Sequence, residues 1–203
     1  RFLHINKCYY LLLSIMHHTI RLSQMRIGVD LDGVVADFTH GWTSQYKKDF
    51  GKEILEKDIT EWGLSKPLTH FEEEIDFWNW AKNFNGSSIF RNLKIYENAV
   101  EVLVELSIAG HEIVILSSKP WWSIHDTLIW LGENKIPSKE IHFIEDKWNI
   151  NCDVYIDDAP HQLENFVKHV PEKLILRFVR PYNRPVSGTK DLNDWMELSS
   201  LLE

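Results

Sequence analysis

Cysteine is nearly absent. The 203 residues contain two, Cys8 and Cys152, which lie far apart, and neither belongs to a C-x-x-C pair. That excludes a disulfide framework and fits a reducing, cytoplasmic compartment. Long apolar runs are missing too: Cys8–Met16 is apolar for only nine residues, too short to span a bilayer. A basic flank precedes that run, but no small-x-small cleavage site follows it. Positive charge is in deficit at a net −8, which argues against a nucleic-acid polymer or an anionic membrane as partner. A small anionic substrate stays open, because one metal ion can invert the field locally. There is no internal repeat and no low-complexity tract. Proline and glycine gather in one loop, "RPYNRPVSG" (Arg180–Gly188), which reads as a connector before the last helix.

What is present is an ordinary globular composition, 44% apolar and 26% charged, long enough for one domain with a modest insertion. Met25 directly precedes the first convincing strand, so residues 1–24 are expected to be an upstream or disordered extension. Asn85-Gly86-Ser87 matches a glycosylation sequon, which has meaning only in a secreted chain.

From Met25 on, short apolar runs alternate with helical stretches. "RIGVD" reads as a buried strand, "ENAVEVLVELSIAG" as an amphipathic helix with a glycine stop, and "HEIVILSS" as the next strand. "SIHDTLIWLGEN" is helical, "IHFI" and "DVYIDD" are strands, "HQLENFVKHV" is a helix and "KLILRFV" a strand. "DLNDWMELSSLLE" closes as a helix with Asp191 as its cap. The alternation predicts a parallel α/β sheet covered by helices on both faces. Between Phe38 and about Tyr96 the rhythm breaks into a segment rich in Phe and Trp. It reads as a mainly helical insertion over 38–96, leaving 25–37 and 97–203 as the core domain.

Ligands of such sheets bind beyond the carboxyl ends of the strands. Three strands end there in groups that handle phosphate or metal: Asp30 with Asp32, Ser117 with Ser118, and Asp157 with Asp158. Positions 30 and 32 point the same way, and Gly33 lets the chain turn. Two close carboxylates do not both ionise freely, which suits a nucleophile with a proton carrier, although a lone D-x-D is more often a turn. Asp37 reads as a solvated or capping carboxylate. Asp157-Asp158 is either a helix cap before Pro160 or a source of hard oxygen ligands for Mg²⁺. Lys147 is either a surface lysine or a cation for phosphoryl transfer.

As a set these residues resemble the haloacid dehalogenase superfamily. "DLDGV" is similar to its first motif, "IVILSS" to its second, Lys147 to its third and "VYIDD" to its fourth, in the expected order. The resemblance implies a three-layer Rossmann-like core with a small cap inserted after the first strand. It implies Asp30 as nucleophile forming an aspartyl-phosphate, Asp32 as general acid then base, Ser117 as phosphoryl contact and Lys147 as charge neutraliser. Mg²⁺ would be held by Asp30, the Asp32 backbone carbonyl and Asp158, with Asp157 as the second choice. "DLDGVVADF", the aromatic insert and "VYIDD" together resemble the 5'(3')-deoxyribonucleotidases. That implies a nucleoside monophosphate substrate contacted by Phe38, Trp62, Ser118 and Lys119. Lys119 follows Ser117 by two positions where four are expected, so its contact is the weakest of these. Trp121 and Trp122 either cover the site or pack beneath the cap. The alternatives are a phosphatase for another small phosphomonoester or a nucleic-acid 3'-phosphate, and a phospho-receiver or binding module. A homodimer is left open.

Overall fold

The computed structural model describes residues 24–63, 68–82 and 86–202. The expected extension, Phe84 and Asn85 of the sequon therefore lie outside the described residues, apart from Gln24. Six strands form one parallel sheet: β1 (Arg26–Val29), β4 (Glu112–Ser117), β5 (Glu140–Phe143), β6 (Val154–Asp157), β7 (Leu174–Phe178) and β8 (Lys190–Leu192). Their order is β5-β4-β1-β6-β7-β8. Helices α3 (Ala99–Ile108), α4 (Ile124–Glu133), α5 (Pro160–His169) and α6 (Leu198–Leu201) belong to the same layered body. This is the α/β parallel sheet that the sequence predicts.

The central strands β1, β4 and β6 are apolar through their middles because both faces are covered. Ile27, Val29, Ile113, Ile115, Ile156 and Leu176 join a core with Leu103 of α3 and Leu198 of α6. Their neighbours Val114, Leu116, Tyr155 and Ile175 join a second core with Leu163 and Phe166 of α5. The period of two along a strand sorts adjacent residues to opposite cores. Gly28 faces the second core, where a Cβ would come within 2.7 Å of Leu116 Cδ1.

A two-stranded antiparallel ribbon, β2 (Ala36–Asp37) with β3 (Lys94–Ile95), lies beside the sheet. Between its strands run α1 (Phe38–Phe50) and α2 (Glu74–Lys82). Asp37 caps α1 by accepting from the His40 N–H at 2.9 Å, and Gly51 ends it at φ 72°. Trp42 and Tyr46, four apart, are buried against Phe77 and Trp80, so aromatic rings do the packing that aliphatic residues do in the sheet.

The chain's end departs from expectation. Asp191 caps no helix; it lies in β8, opposite Arg177 in β7. Arg177 is 4% exposed, and its guanidinium grips both Asp191 oxygens at 2.8 and 2.7 Å. A buried arginine needs a carboxylate, and Leu192 beside it is fully buried, so this segment stays extended. Asp194 is the residue that caps, accepting from the Met196 N–H, and the closing helix shrinks to a short turn and α6. No helix among the described residues is long and apolar enough to cross a membrane.

His111, just before β4, is buried and accepts the Met25 N–H on Nδ1 at 3.3 Å. Burial pushes its pKa below the ordinary 6.5. The unfolded chain then takes the proton more readily, so stability falls as pH drops below 6.5 and levels off below the folded pKa. His111→Gln should flatten this dependence: its urea midpoint should fall less than that of wild type between pH 7.5 and pH 5.5. Equal falls in both proteins would show that His111 does not set the pH dependence.

Candidate active site

Three adjacent strands, β4, β1 and β6, end beneath one cavity of about 430 Å³. Asp30 follows β1, and its N–H is tied to the Ile156 carbonyl at 3.0 Å. The fully buried Leu31 pins the next step, its carbonyl accepting from Val34, Val35 and Ala36 N–H groups. The turn closes at Gly33, where φ is +80° and a Cβ would collide with Asp158 Oδ2. No side chain fits there. Gly33→Ala should cost about 1–3 kcal/mol in urea unfolding and displace Asp158, with activity falling in step. A variant with full stability and activity would show that the turn tolerates a Cβ.

Asp30 and Asp32 both line the cavity. Asp32 Oδ2 meets Lys119 Nζ at 2.5 Å, and the Lys119 side chain is 2% exposed. Burial pushes the Asp32 carboxyl up and the Lys119 ammonium down, and their mutual attraction opposes both shifts. The ammonium also rests 3.7 Å over the Phe90 ring. Lys147 opens a helical turn after β5 and is buried, with Nζ 3.0 Å from Asp30 Oδ1 and 2.6 Å from Asp157 Oδ2. Burial alone would lower its pKa; Asp157 and Asp30 outweigh burial and hold it above the ordinary lysine value.

Asp157 and Asp158 are equally buried but not equivalent. Asp157 has both oxygens engaged, one by Lys147 and the other by the Ala159 N–H at 2.9 Å. Burial pushes its carboxyl up to about 6, with Lys147 pulling the other way. Asp158 accepts from the Tyr182 hydroxyl on Oδ2, while Oδ1 is buried without a hydrogen-bond partner. Burial and the neighbouring Asp30 and Asp157 charges push its pKa well up. Oxygens of Asp30, Asp157 and Asp158 all lie within 4.8 Å of one another. Hard oxygen donors crowded at this distance, one of them orphaned, fit a divalent cation such as Mg²⁺.

The other sequence candidates fall around the same space. Ser117, Ser118, Phe38 and Trp62 line the cavity. The Ser118 hydroxyl donates to the Ile144 carbonyl at 3.1 Å. Phe38 stacks on Phe90 at 5.3 Å and Trp78 at 6.3 Å, forming an aromatic wall. Trp62 is 47% exposed and packs edgewise on Tyr182. Trp122 backs that wall through Phe90 and Trp78, while Trp121 is exposed.

The loop after β7 is more than a connector. Arg180 donates to the Gly33 carbonyl at 2.6 Å, Tyr182 to the Asp158 carboxylate, and Asn183 to the Asp158 carbonyl at 2.8 Å. Strand-end polarity in β1, β4 and β6 does not reveal these residues. The same rule extended to β7 could have found them, because its carboxyl end opens directly into Arg180–Asn183.

Known proteins share both the sequence and the fold. Residues 24–202 match the family described as 5' nucleotidase, deoxy (pyrimidine), cytosolic type C protein. The 5'(3')-deoxyribonucleotidase of Bacillus subtilis is 26% identical over 183 residues, 87% of this chain and 97% of that protein. That of Clostridium acetobutylicum is 26% identical over 193 residues, 90% of this chain and 97% of its own. A HAD family hydrolase from Deinococcus radiodurans, solved with bound phosphate and sodium, shares the fold. Its TM-score is 0.60 at 15% identity, over 87% of this chain and 94% of that one. Because the family match runs through nearly all the described residues, the chain belongs to the cytosolic type C family of 5' deoxynucleotidases.

Proposed function

We propose that the protein is a Mg²⁺-dependent phosphomonoesterase that hydrolyses nucleoside monophosphates through an aspartyl-phosphate on Asp30. The observation that carries this reading is the meeting of Asp30, Asp32, Lys119, Lys147 and Asp158 in a single cavity under an aromatic wall. Its volume of about 430 Å³ is within the roughly 300–1,000 Å³ of small-molecule sites. The family match and the names of the two relatives support a nucleotide, and the phosphate in the Deinococcus protein supports the anion. "Cytosolic" in the family description supports a cytoplasmic setting.

Carboxylates outnumber the two lysines in the cavity, so a phosphate dianion entering it needs further positive charge. Asp30, Asp158 and the Asp32 carbonyl would hold a Mg²⁺, which when bound would supply that charge and polarise the phosphoryl group. The chain's own residues do the rest. An Asp30 oxygen attacks phosphorus, and the bond from phosphorus to the ester oxygen breaks. Asp32, its carboxyl raised by burial, gives its proton to that leaving oxygen. It then takes a proton from water, whose oxygen attacks the phosphorus and releases Asp30. Lys147 orients Asp30 and balances charge beside it, Ser117 contacts the phosphoryl group, and Lys119 steadies Asp32. Residues 38–96 act as the cap, with Phe38 and Trp62 against the nucleoside.

A substrate panel tests this. With Mg²⁺, dUMP and dTMP should release phosphate faster than ribonucleotides, and a 3'-phosphorylated oligonucleotide should not react. Preference for a sugar phosphate would move the protein to the broader phosphatase reading. A lasting acyl-phosphate without turnover would move it to the phospho-receiver reading.

A further inference from the structure

We propose that Tyr182 is a positioning residue that restricts Asp158 to a single oxygen toward the cation and so favours Mg²⁺ over Ca²⁺. The proposal rests on the reading above that Asp30 and Asp158 hold a divalent metal. Asp158 is 1% exposed, and its two oxygens are used differently: Oδ2 takes the Tyr182 hydroxyl, while Oδ1 meets no donor and keeps its lone pairs for a ligand. Asp157 is the less available of the pair, because Lys147 and the Ala159 N–H already donate to both of its oxygens.

The phenol is not there by chance of a flexible loop. Asn183, next in the chain, donates to the carbonyls of Asp158 and Phe178 and accepts from Arg177 and the Arg180 N–H. Arg180 is laid 3.7 Å over the Tyr96 ring and 4.4 Å over the Phe178 ring while its Nε holds the Gly33 carbonyl. Trp62 packs edgewise on the Tyr182 ring with centroids 5.6 Å apart. Gly33 completes the fit: a Cβ there would stand 2.6 Å from the Tyr182 hydroxyl as well as striking Asp158. The loop after β7 and one glycine thus converge on a single carboxylate.

The chemical consequence follows from how the two cations bind. Mg²⁺ is small, needs near-octahedral geometry and takes carboxylates through one oxygen. Ca²⁺ accepts six to eight oxygens and gains from two-oxygen carboxylates. A carboxylate with one oxygen already hydrogen-bonded serves the first and handicaps the second.

The test is calorimetric titration of the metal-free full chain with MgCl₂ and with CaCl₂. Wild type should bind Mg²⁺ more tightly than Ca²⁺. Tyr182→Phe removes one oxygen and should lower the ratio of Mg²⁺ to Ca²⁺ affinity by about tenfold or more, within the 10–100-fold that loss of a metal ligand's supporting partner costs. Tyr182→Leu, which also removes the donor, carries the same expectation and serves if the first variant folds poorly. A merely structural tyrosine would lower stability and leave the ratio unmoved, and an unmoved ratio overturns the proposal while the functional reading stands. Wild type that binds Ca²⁺ as tightly as Mg²⁺ also overturns it. If wild type binds neither cation, the functional reading falls as well.

Discussion

With Asp30 as the proposed nucleophile, Asp30→Asn should stop phosphate release while the protein stays folded. The amide keeps the shape of the carboxylate but cannot attack phosphorus, so kcat should drop by about 10⁴-fold or more, as for other lost nucleophiles. Stability should change little, for opposing reasons. Lys147 loses one contact of 3.0 Å but keeps Asp157 at 2.6 Å. In exchange, the Asp30 charge, which adds to burial in pushing up the pKa of both Asp157 and Asp158, is gone. Unfolding free energies from urea titration without metal should therefore agree with wild type to within about 1 kcal/mol. Phosphate release near the wild-type rate would place the nucleophile elsewhere. An unfolded variant would show Asp30 to be structural first.

Lys147→Met has the opposite profile, with a large stability loss that a cation partly repairs. Its ammonium is the only basic group among the described residues within salt-bridge reach of Asp30 and Asp157, and all three side chains are at most 8% exposed. Methionine fills much of the volume and leaves two buried carboxylates unpaired, which costs about 3–5 kcal/mol. The double variant Lys147→Met with Asp157→Asn removes one orphaned charge and should recover part of that loss, and added Mg²⁺ should recover part of it in either variant. Activity should fall by about 10²–10³-fold, because a preorganised charge beside the nucleophile is missing. A single variant as stable as wild type would mean that the lysine contributes nothing to holding the acidic cluster together.

The centre of the sheet is readable in the sequence because its strands are apolar without alternation and are bounded by helices with clear stops. β4 from Ile113 to Leu116 and β6 from Val154 to Ile156 are buried on both faces, which such runs require. The acidic and hydroxyl residues of the site can be found for a related reason: they sit at the carboxyl ends of those strands, where a polar residue interrupts an apolar run. Arg177 with Asp191 is illegible. The pairing depends on β7 and β8 lying side by side, and helical spacing in the last segment suggests a different local answer. The end of β7 marks the loop that carries Tyr182, but the partner of its hydroxyl is illegible for a similar reason. Nothing in "RPYNR" announces a partner 24 residues earlier, and only the tertiary path of the loop brings the phenol to Asp158. The commitment of Ser118 to the Ile144 carbonyl likewise depends on where the end of β5 lies. Local pattern reveals strand ends; it does not reveal which side chains from other loops complete them.

The central claim is that phosphorus passes through Asp30, and one measurement addresses it directly. Enzyme mixed with ³²P-labelled deoxyuridine 5'-monophosphate and Mg²⁺ is quenched in acid within a turnover, digested, and the labelled peptide identified. The account predicts label on the peptide carrying Asp30, and none in Asp30→Asn. Rapid turnover with no protein-bound label, or label on another residue, would contradict it.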